Sequence, residues 1–249
     1  MKLEHDRGGA GARLLVLLHG LGATRHVWRG FLDAKRWNGS WIAPDLRGHG
    51  ASAHASSYSL GLHAADVAET IQALGHFDEI VVLGHSMGGV IALALASGWF
   101  GIAPARAFGL GIKVSWNDDE RAGMAKMAGM PVKTFASKDE AIARYLKISG
   151  LAGFTAPHSE AAQAGIARAA EGWRPAFDPA TASIGQPPMK ELLAAAQAPI
   201  HLACGDADAM VTRDQMAAFD SDARSLPGGH NVMVENPNAV WDWIGGFVA

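Results

Sequence analysis

One serine lies between small residues where a buried strand is expected to give way to a helix. The segment is Gly84-His85-Ser86-Met87-Gly88-Gly89; residues 79–83, which have the pattern of a buried strand, precede it, and an apolar run at 90–96 follows. A G-x-S-x-G pattern between a strand and a helix is typical of a nucleophile elbow, a sharp turn that exposes the serine hydroxyl. Glycines let the helix approach the strand, and amides at a helix N-terminus favour developing negative charge. We therefore predict that Ser86 is a catalytic nucleophile.

A serine hydroxyl is a weak nucleophile near neutral pH, so it needs a base, and the base needs an orienting carboxylate. Both occur downstream in the order serine, acid, histidine. Asp206 and Asp208 follow an apolar run at 200–204, and His230 follows the next one. Each lies just past the carboxyl end of a predicted strand, where open α/β sheets assemble their sites. Because both aspartates follow the same strand, either could be the acid at this stage.

An oxyanion-binding loop is the fourth part that such chemistry needs. His19-Gly20-Leu21-Gly22 follows the strongest early apolar run, at 14–18. Backbone amides of this loop, together with the amide of Met87 after the nucleophile, could hold the oxyanion of a tetrahedral intermediate.

The elements that must position these residues alternate along the chain. Short β-branched or leucine-rich runs at 14–18, 41–43, 80–83, 107–112, 200–203 and 224–226 predict strands, and helical patterns occur at 60–74, 86–97, 210–219 and 238–248. Continuous apolarity without alternation indicates a parallel sheet covered by helices on both faces. The strand–helix succession predicts an open α/β fold.

Residues 113–190 interrupt this rhythm. Helices are predicted at 118–130 and 138–149, the second with Ser137 as its N-cap, and no convincing strand is found. The segment is too long for a loop. We therefore expect a helical cap at 113–190, inserted into a core made of residues 1–112 and 191–249.

Five segments in order resemble those of the alpha/beta-hydrolases, and in particular of the cap-bearing serine esterases and lactonases. They are HGLG at 19–22, PDLRGHGAS at 44–52, GHSMGG at 84–89, GDADAMV at 205–211 and GGHNVMVENP at 228–237. The resemblance extends from about residue 14 to the C-terminus. It implies a mostly parallel, doubly wound sheet with an inserted helical cap. At its N-terminal edge, the family's first antiparallel strand is expected to be missing or reduced to residues 2–6.

The resemblance also assigns roles to single residues. It implies Ser86 as nucleophile, Asp208 as acid, His230 as base, and the amides of Leu21 and Met87 as oxyanion donors. The implied activity is the cofactor-independent hydrolysis of a small carboxylic ester through an acyl-enzyme. Hydrolysis of a lactone, a thioester or the C–C bond of a vinylogous diketone stays open, as does a non-catalytic ligand receptor. A serine at the elbow argues against haloalkane dehalogenases and epoxide hydrolases, which carry aspartate there.

Residues around the predicted site suggest further roles. Trp28 follows the oxyanion loop and Trp116 begins the cap, so we expect both to contact the substrate. His19 and His85 are expected to brace the loop and the elbow. Asp45 and Arg47 are expected to pair with each other.

Composition excludes other classes of function. The net charge of −3 and the lack of a basic stripe argue against nucleic-acid binding. Eleven histidines show no metal-ligand spacing, so no metal or other cofactor is expected. The single cysteine, Cys204, is expected to be a core residue. No targeting signal or membrane-spanning run is found, which predicts a cytoplasmic protein acting on a small molecule.

Overall fold

The chain folds as alternating strands and helices, described for residues 1–34, 36–184 and 187–248 in a computed structural model. The strands of this described part are β1 (His5–Gly8), β2 (Arg13–Leu18), β3 (Ser40–Pro44), β4 (Glu79–His85), β5 (Arg106–Leu110), β6 (Ile166–Arg168), β7 (Trp173–Pro175), β8 (Ile200–Gly205) and β9 (Arg224–Leu226). The helices are α1 (Arg29–Asp33), α2 (Leu60–Gln72), α3 (Met87–Leu95), α4 (Asp118–Ala128), α5 (Lys138–Ile148), α6 (Glu160–Ala164), α7 (Met189–Ala194), α8 (Arg213–Ala217), α9 (Val232–Glu235) and α10 (Pro237–Val248).

Seven strands form the main sheet in the order β1-β3-β2-β4-β5-β8-β9. All neighbours are parallel except β1, which pairs antiparallel with β3. The predicted doubly wound, mostly parallel sheet is confirmed. The functional loops after β2, β4, β8 and β9 therefore leave the same carboxyl edge.

The central strands of the sheet are buried on both faces, as their continuous apolar sequences predict. In β2, Leu14, Val16 and Leu18 pack in one core cluster with residues of α2 and α3. Leu15 and Leu17 point to the other face and pack with residues of α1 and α10. Full burial of such a side chain contributes about 1.5–3 kcal/mol, which fixes the layers on both sides.

Two details differ from the sequence-based expectation. The first antiparallel strand is present but lies at His5–Gly8 rather than at residues 2–6, where its backbone pairs with residues 41–44. Strand β5 ends at Leu110 because Gly111 adopts a φ of +62° and turns the chain away from the sheet.

The predicted cap segment contains a short hairpin that sequence patterns missed. Strands β6 and β7 pair antiparallel, and Gly172 turns between them with a φ of +86°. Backbone hydrogen bonds join Phe135 to Trp173 in both directions, at 2.7 and 2.9 Å. Three-residue strands carry no readable periodicity, so tertiary pairing decides them.

The helices of this segment follow the predictions closely. Ser137 caps α5 in a capping box with Glu140, as expected, and Asn117 does the same for α4 with Glu120. The expected boundary between residues 190 and 191 falls inside α7, which packs on the α2–α3 side of the core through Met189 and Leu192. Four residues of the expected core and cap, at positions 35, 185, 186 and 249, lie outside the described residues.

Candidate active site

Ser86 occupies a strained turn between β4 and α3. Its backbone has φ 50° and ψ −119°, and within the described chain it is the one non-glycine residue with positive φ. Such conformations cost about 1–3 kcal/mol and persist only where the surroundings hold them. The Ser86 amide donates to the Leu110 carbonyl at 2.8 Å, and the hydroxyl does not cap α3. The turn thus presents a hydroxyl that the helix does not use.

Glycines around the serine are required by contact distances. A Cβ on Gly84 would lie 2.1 Å from the Gly88 carbonyl oxygen, and one on Gly88 would lie 2.4 Å from the Leu18 carbonyl oxygen. Real Cβ atoms do not approach carbonyl oxygens this closely. Helix α3 can therefore begin directly above β4 and β2 only when these positions lack side chains.

Asp208 and His230 form a hydrogen-bonded pair at the carboxyl edge of the sheet. His230 Nδ1 lies 2.8 Å from Asp208 Oδ2, and the Asp208 side chain has no solvent exposure. The second carboxylate oxygen accepts from the Met210 amide at 2.8 Å. Because an ionised carboxylate can only accept, His230 Nδ1 carries the proton and Nε2 is free to act as an acceptor.

The other aspartate after β8 has a different role. Asp206 Oδ1 accepts from the Gly228 amide at 3.0 Å, and the Asp206 amide donates to the Leu226 carbonyl at 2.8 Å. Asp206 thereby connects the loop after β8 to the loop that precedes His230. Of the two aspartates between which the local sequence left the choice open, Asp208 contacts His230 and Asp206 contacts a backbone amide.

Ser86 and His230 line the same cavity. No hydrogen bond joins the Ser86 hydroxyl to His230. Among the described residues, the hydrogen-bond partners of His230 outside its own segment are Asp208 and His85. Hydrogen bonds between nucleophile and base are often long in unliganded sites and shorten when substrate binds.

The two predicted oxyanion donors border the cavity. Leu21 and Met87 both line it, and neither of their amides donates to an acceptor within the described residues. Met87 is the first residue of α3, where an amide has no partner within the helix. Both amides are thus available to an oxygen bound near Ser86.

Two buried histidines connect the predicted oxyanion loop (residues 19–22) to the loop after β3. His19 Nε2 accepts from the Leu46 amide, and His49 Nε2 accepts from the Gly22 amide, each at 3.0 Å. Their Nδ1 atoms lie 2.8 and 3.0 Å from the carbonyl oxygens of Gly20 and Arg47. Burial lowers the pKa of His19 to about 4 and that of His49 to about 3, so both are neutral donors and acceptors at pH 7.

His85 is hydrogen-bonded to the backbone of His230. Its Nε2 donates to the His230 carbonyl oxygen at 2.9 Å, and the two rings lie 4.7 Å apart. Burial, reinforced by the proximity of His230, holds the pKa of His85 well below its usual value. His85 therefore contacts His230 without adding charge to the cavity.

The expected pairing of Asp45 with Arg47 is wrong. Asp45 binds Arg25, whose backbone amide also donates to Asp45 Oδ1 at 2.8 Å. Arg47 instead makes a two-pronged contact with Asp66 on α2, at 2.5 and 2.8 Å. The Asp45 side chain thus faces the 3-10 helix (Arg25–Trp28), and the Arg47 side chain faces α2.

The cavity above Ser86 has a volume of about 420 Å³. Core loops supply one side, and residues of the expected cap supply the other, among them Trp116, Met124, Met127 and Ile148. Lys147 and Asn231 also line the cavity, although neither was singled out from sequence. Asn231 lies next to His230, a signal that could have found it; nothing in the sequence marked Lys147.

The structure brings one of the two predicted tryptophans to the cavity. Trp116 lines it, whereas Trp28 does not. Trp28 ends a 3-10 helix (Arg25–Trp28), is fully buried, and packs edge-on against Phe31 with ring centroids 5.6 Å apart. The expectation that Trp28 contacts substrate is therefore corrected: the helix turns this side chain into the core.

Other expectations can be compared with the described residues. Cys204 is buried in the core, and burial raises its pKa to about 11. Within residues 1–34, 36–184 and 187–248, no cluster of three or more potential ligands is arranged to hold a metal ion. No helix in the described chain has the length and apolarity that crossing a membrane requires.

Several known proteins resemble this chain over part or all of its length. The 30 kDa subunit of magnesium chelatase from Rhodobacter capsulatus is 41% identical over 93 residues, covering 36% of this chain and 32% of the relative. Epoxide hydrolase 4 from Mus musculus is 37% identical over 92 residues, covering 36% and 25%. The matched segments thus span a third or less of these relatives.

Similarity in structure is more extensive than similarity in sequence. The crystal structure of E-2-(acetamidomethylene)succinate hydrolase superposes with a TM-score of 0.82 over 99% of this chain and 94% of that one, at 18% identity. At this identity the likeness shows the fold alone. A sequence model described as the alpha/beta hydrolase family matches residues 15–243, which include every segment of the site. The chain therefore belongs to the alpha/beta hydrolase family.

Proposed function

We propose that this protein hydrolyses small carboxylic esters through an acyl-enzyme on Ser86. The observation that carries the proposal is the 2.8 Å contact between buried Asp208 and His230 at the wall of the cavity that Ser86 enters. A nucleophile on a strained turn, a neutral imidazole and an orienting carboxylate are the parts that acyl transfer needs.

In the first step, Ser86 Oγ attacks the ester carbonyl carbon while His230 Nε2 takes the hydroxyl proton. Asp208 holds the ring in the tautomer with Nδ1 protonated and stabilises the imidazolium that forms. The amides of Leu21 and Met87 donate to the oxyanion, and removal of one such donor typically costs about 10²–10³ in turnover. Collapse of the intermediate expels the alcohol, which receives the proton from His230.

In the second step, water enters the site of the departed alcohol. His230 Nε2 takes a proton from this water, which attacks the acyl carbon of the Ser86 ester. The same two amides hold the second oxyanion. Collapse then releases the carboxylic acid and returns the proton to Ser86 Oγ.

Ester hydrolysis is favoured over epoxide opening by the elbow residue. Two relatives are named as epoxide hydrolases, Epoxide hydrolase 4 from Mus musculus and a soluble enzyme from Corynebacterium. Family members that open epoxides use an aspartate at the elbow, where this chain has Ser86. A serine instead forms an ester with an acyl group, which a base-activated water can cleave.

We also propose that residues 113–190 act as the cap that shapes the substrate cavity. Helix α4 contributes Met124 and Met127, and the end of α5 contributes residues 147–148.

Initial rates on aryl esters, acyl lactones and a dienoate diketone would rank the three reactions that this site could serve. The highest rate is expected for the ester.

Ser86→Ala tests the assignment directly. Its rate on a short-chain p-nitrophenyl ester is expected to fall by about 10⁴- to 10⁶-fold. Ser56→Ala, at an exposed serine, is the matched control and should retain full activity. A fluorophosphonate probe should label the unmodified protein on Ser86, as located by peptide mass spectrometry. Activity of Ser86→Ala near that of the parent protein would disprove the proposal.

A further inference from the structure

The charges that border the cavity are of one sign. Lys113 and Lys147 line it, and no Asp or Glu is among its described lining residues. His85 and His230 also face it; His85 is neutral because burial lowers its pKa. Two carboxylates contact residues of the wall from behind: Asp208 is fully buried behind the His230 ring, and Glu120 pairs with Lys113.

The two lysines differ in what they bind. Lys113 Nζ donates to Glu120 Oε1 at 2.7 Å and to the Met210 carbonyl oxygen at 3.1 Å. The Lys113 side chain therefore connects the start of α4 to the loop after β8. Lys147 is exposed, and its ammonium group makes no hydrogen bond or ion pair with any residue in the described ranges. It lies in the last turn of α5, where a positive charge is favourable to the helix dipole. All three of its ammonium donors remain available to a ligand.

The end of α5 is held against both catalytic loops. Ile148 packs so closely on the oxyanion loop that a Cβ on Gly22 would lie 2.5 Å from its Cγ2. The carbonyl oxygens of Ser149 and Gly150 accept from Asn231 Nδ2, beside His230, at 3.3 and 3.1 Å. Lys147 therefore extends from a fixed backbone segment that bridges the oxyanion loop and the histidine loop.

We propose that Lys147 binds a carboxylate of the substrate, so that the preferred ester carries a negative charge on the part that faces α5. This inference rests on the proposed ester hydrolysis and adds the class of substrate. The apolar wall at Trp116, Met124 and Met127 accommodates the hydrocarbon portion of such a substrate. A carboxylate would satisfy the Lys147 ammonium, the one charged group of the described wall that lacks a protein partner.

Two esters of equal chain length test the proposal. One is p-nitrophenyl hexanoate, which is neutral, and the other is the mono-p-nitrophenyl ester of adipic acid, which ends in a carboxylate. The parent protein is expected to show the higher kcat/KM for the adipate ester. Lys147→Gln should lower kcat/KM for adipate about tenfold, the loss expected for one charge-assisted contact, and leave hexanoate within about twofold. Lys126→Gln on the exposed side of α4 removes an equal charge and should change neither.

Two further measurements keep the test independent of folding. Lys147→Glu should reverse the preference between the two esters. Raising NaCl from about 0.02 to 0.5 M should weaken adipate turnover in the parent protein but not in Lys147→Gln, because salt screens exposed charges. Equal kcat/KM for the two esters in the parent protein, or an equal loss for both in Lys147→Gln, would overturn the inference while leaving ester hydrolysis intact. Failure of the parent protein on hexanoate and adipate alike would refute both proposals.

Discussion

Acidification from pH 7 to 5 is expected to destabilise this fold steeply, because buried neutral histidines must gain protons on unfolding. Burial lowers the pKa of His19 to about 4 and the pKa values of His49 and His63 to about 3. An unfolded histidine titrates near 6.5. Between about pH 6.5 and 4 the unfolded chain therefore binds more protons than the folded one. The stabilisation is complete above pH 6.5 and is lost as the pH falls through this window.

The magnitude follows from the number of protons. Each such histidine changes the free energy of unfolding by about 1.4 kcal/mol per pH unit in the window, so three together give about 4 kcal/mol per unit. From pH 7 to 5 the total loss is about 6 kcal/mol, comparable with the entire stability of many domains. Carboxylates with ordinary pKa values stay mostly ionised above pH 5. Burial also lowers the pKa values of His26, His54, His85 and His201, which act in the same direction.

Urea unfolding followed by tryptophan fluorescence at half-unit pH steps would measure this slope. His49→Gln should flatten it by about 1.4 kcal/mol per pH unit, because a glutamine can accept from the Gly22 amide without titrating. His76→Gln is the matched control, since the His76 side chain is 87% exposed, and its slope should equal that of the parent protein. A free energy of unfolding that is constant between pH 6.5 and 5, or equal slopes for the two variants, would refute the reasoning.

Two further predictions concern residues whose roles the structure separates. Asp208→Asn should lower kcat about 10⁴-fold, because an amide no longer selects the Nδ1-protonated tautomer of His230. Asp206→Asn should retain most activity and lose about 1 kcal/mol of stability. Initial rates measure the activities and urea unfolding measures the stabilities; equal losses of activity in the two variants would contradict the assignment. Trp28→Ala should cost about 3–5 kcal/mol of stability. Trp116→Ala should raise KM with little change in melting temperature. A raised KM with unchanged stability in Trp28→Ala, together with a large loss of stability in Trp116→Ala, would contradict the placement of both tryptophans.

Local sequence predicted the parts of the site that depend on contacts between chain neighbours. The elbow at Ser86 needs a strand, a sharp turn and a helix in succession, and consecutive residues of the chain form all three. The N-cap of α5 at Ser137 is equally local, since its partner Glu140 is three residues away. Buried apolar runs likewise predicted the main-sheet strands that follow residue 12, because a parallel sheet covered on both faces tolerates no alternation.

Contacts between distant residues decided the rest. Asp206 and Asp208 follow the same strand, and only the packing of the loop before His230 gives one the imidazole and the other a backbone amide. The strands β6 and β7 exist through pairing with each other and with Phe135, which a three-residue pattern cannot reveal.

The sequence by itself determined the fold class and predicted a nucleophile and the order of a triad, because strand burial and the elbow are short-range properties. Only the tertiary structure decided which side chains enter the cavity. Trp28 turns into the core while Lys147 reaches the wall above Ser86. Those directions depend on how α5 and the 3-10 helix pack against loops far away in the chain, and no neighbouring residue encodes them.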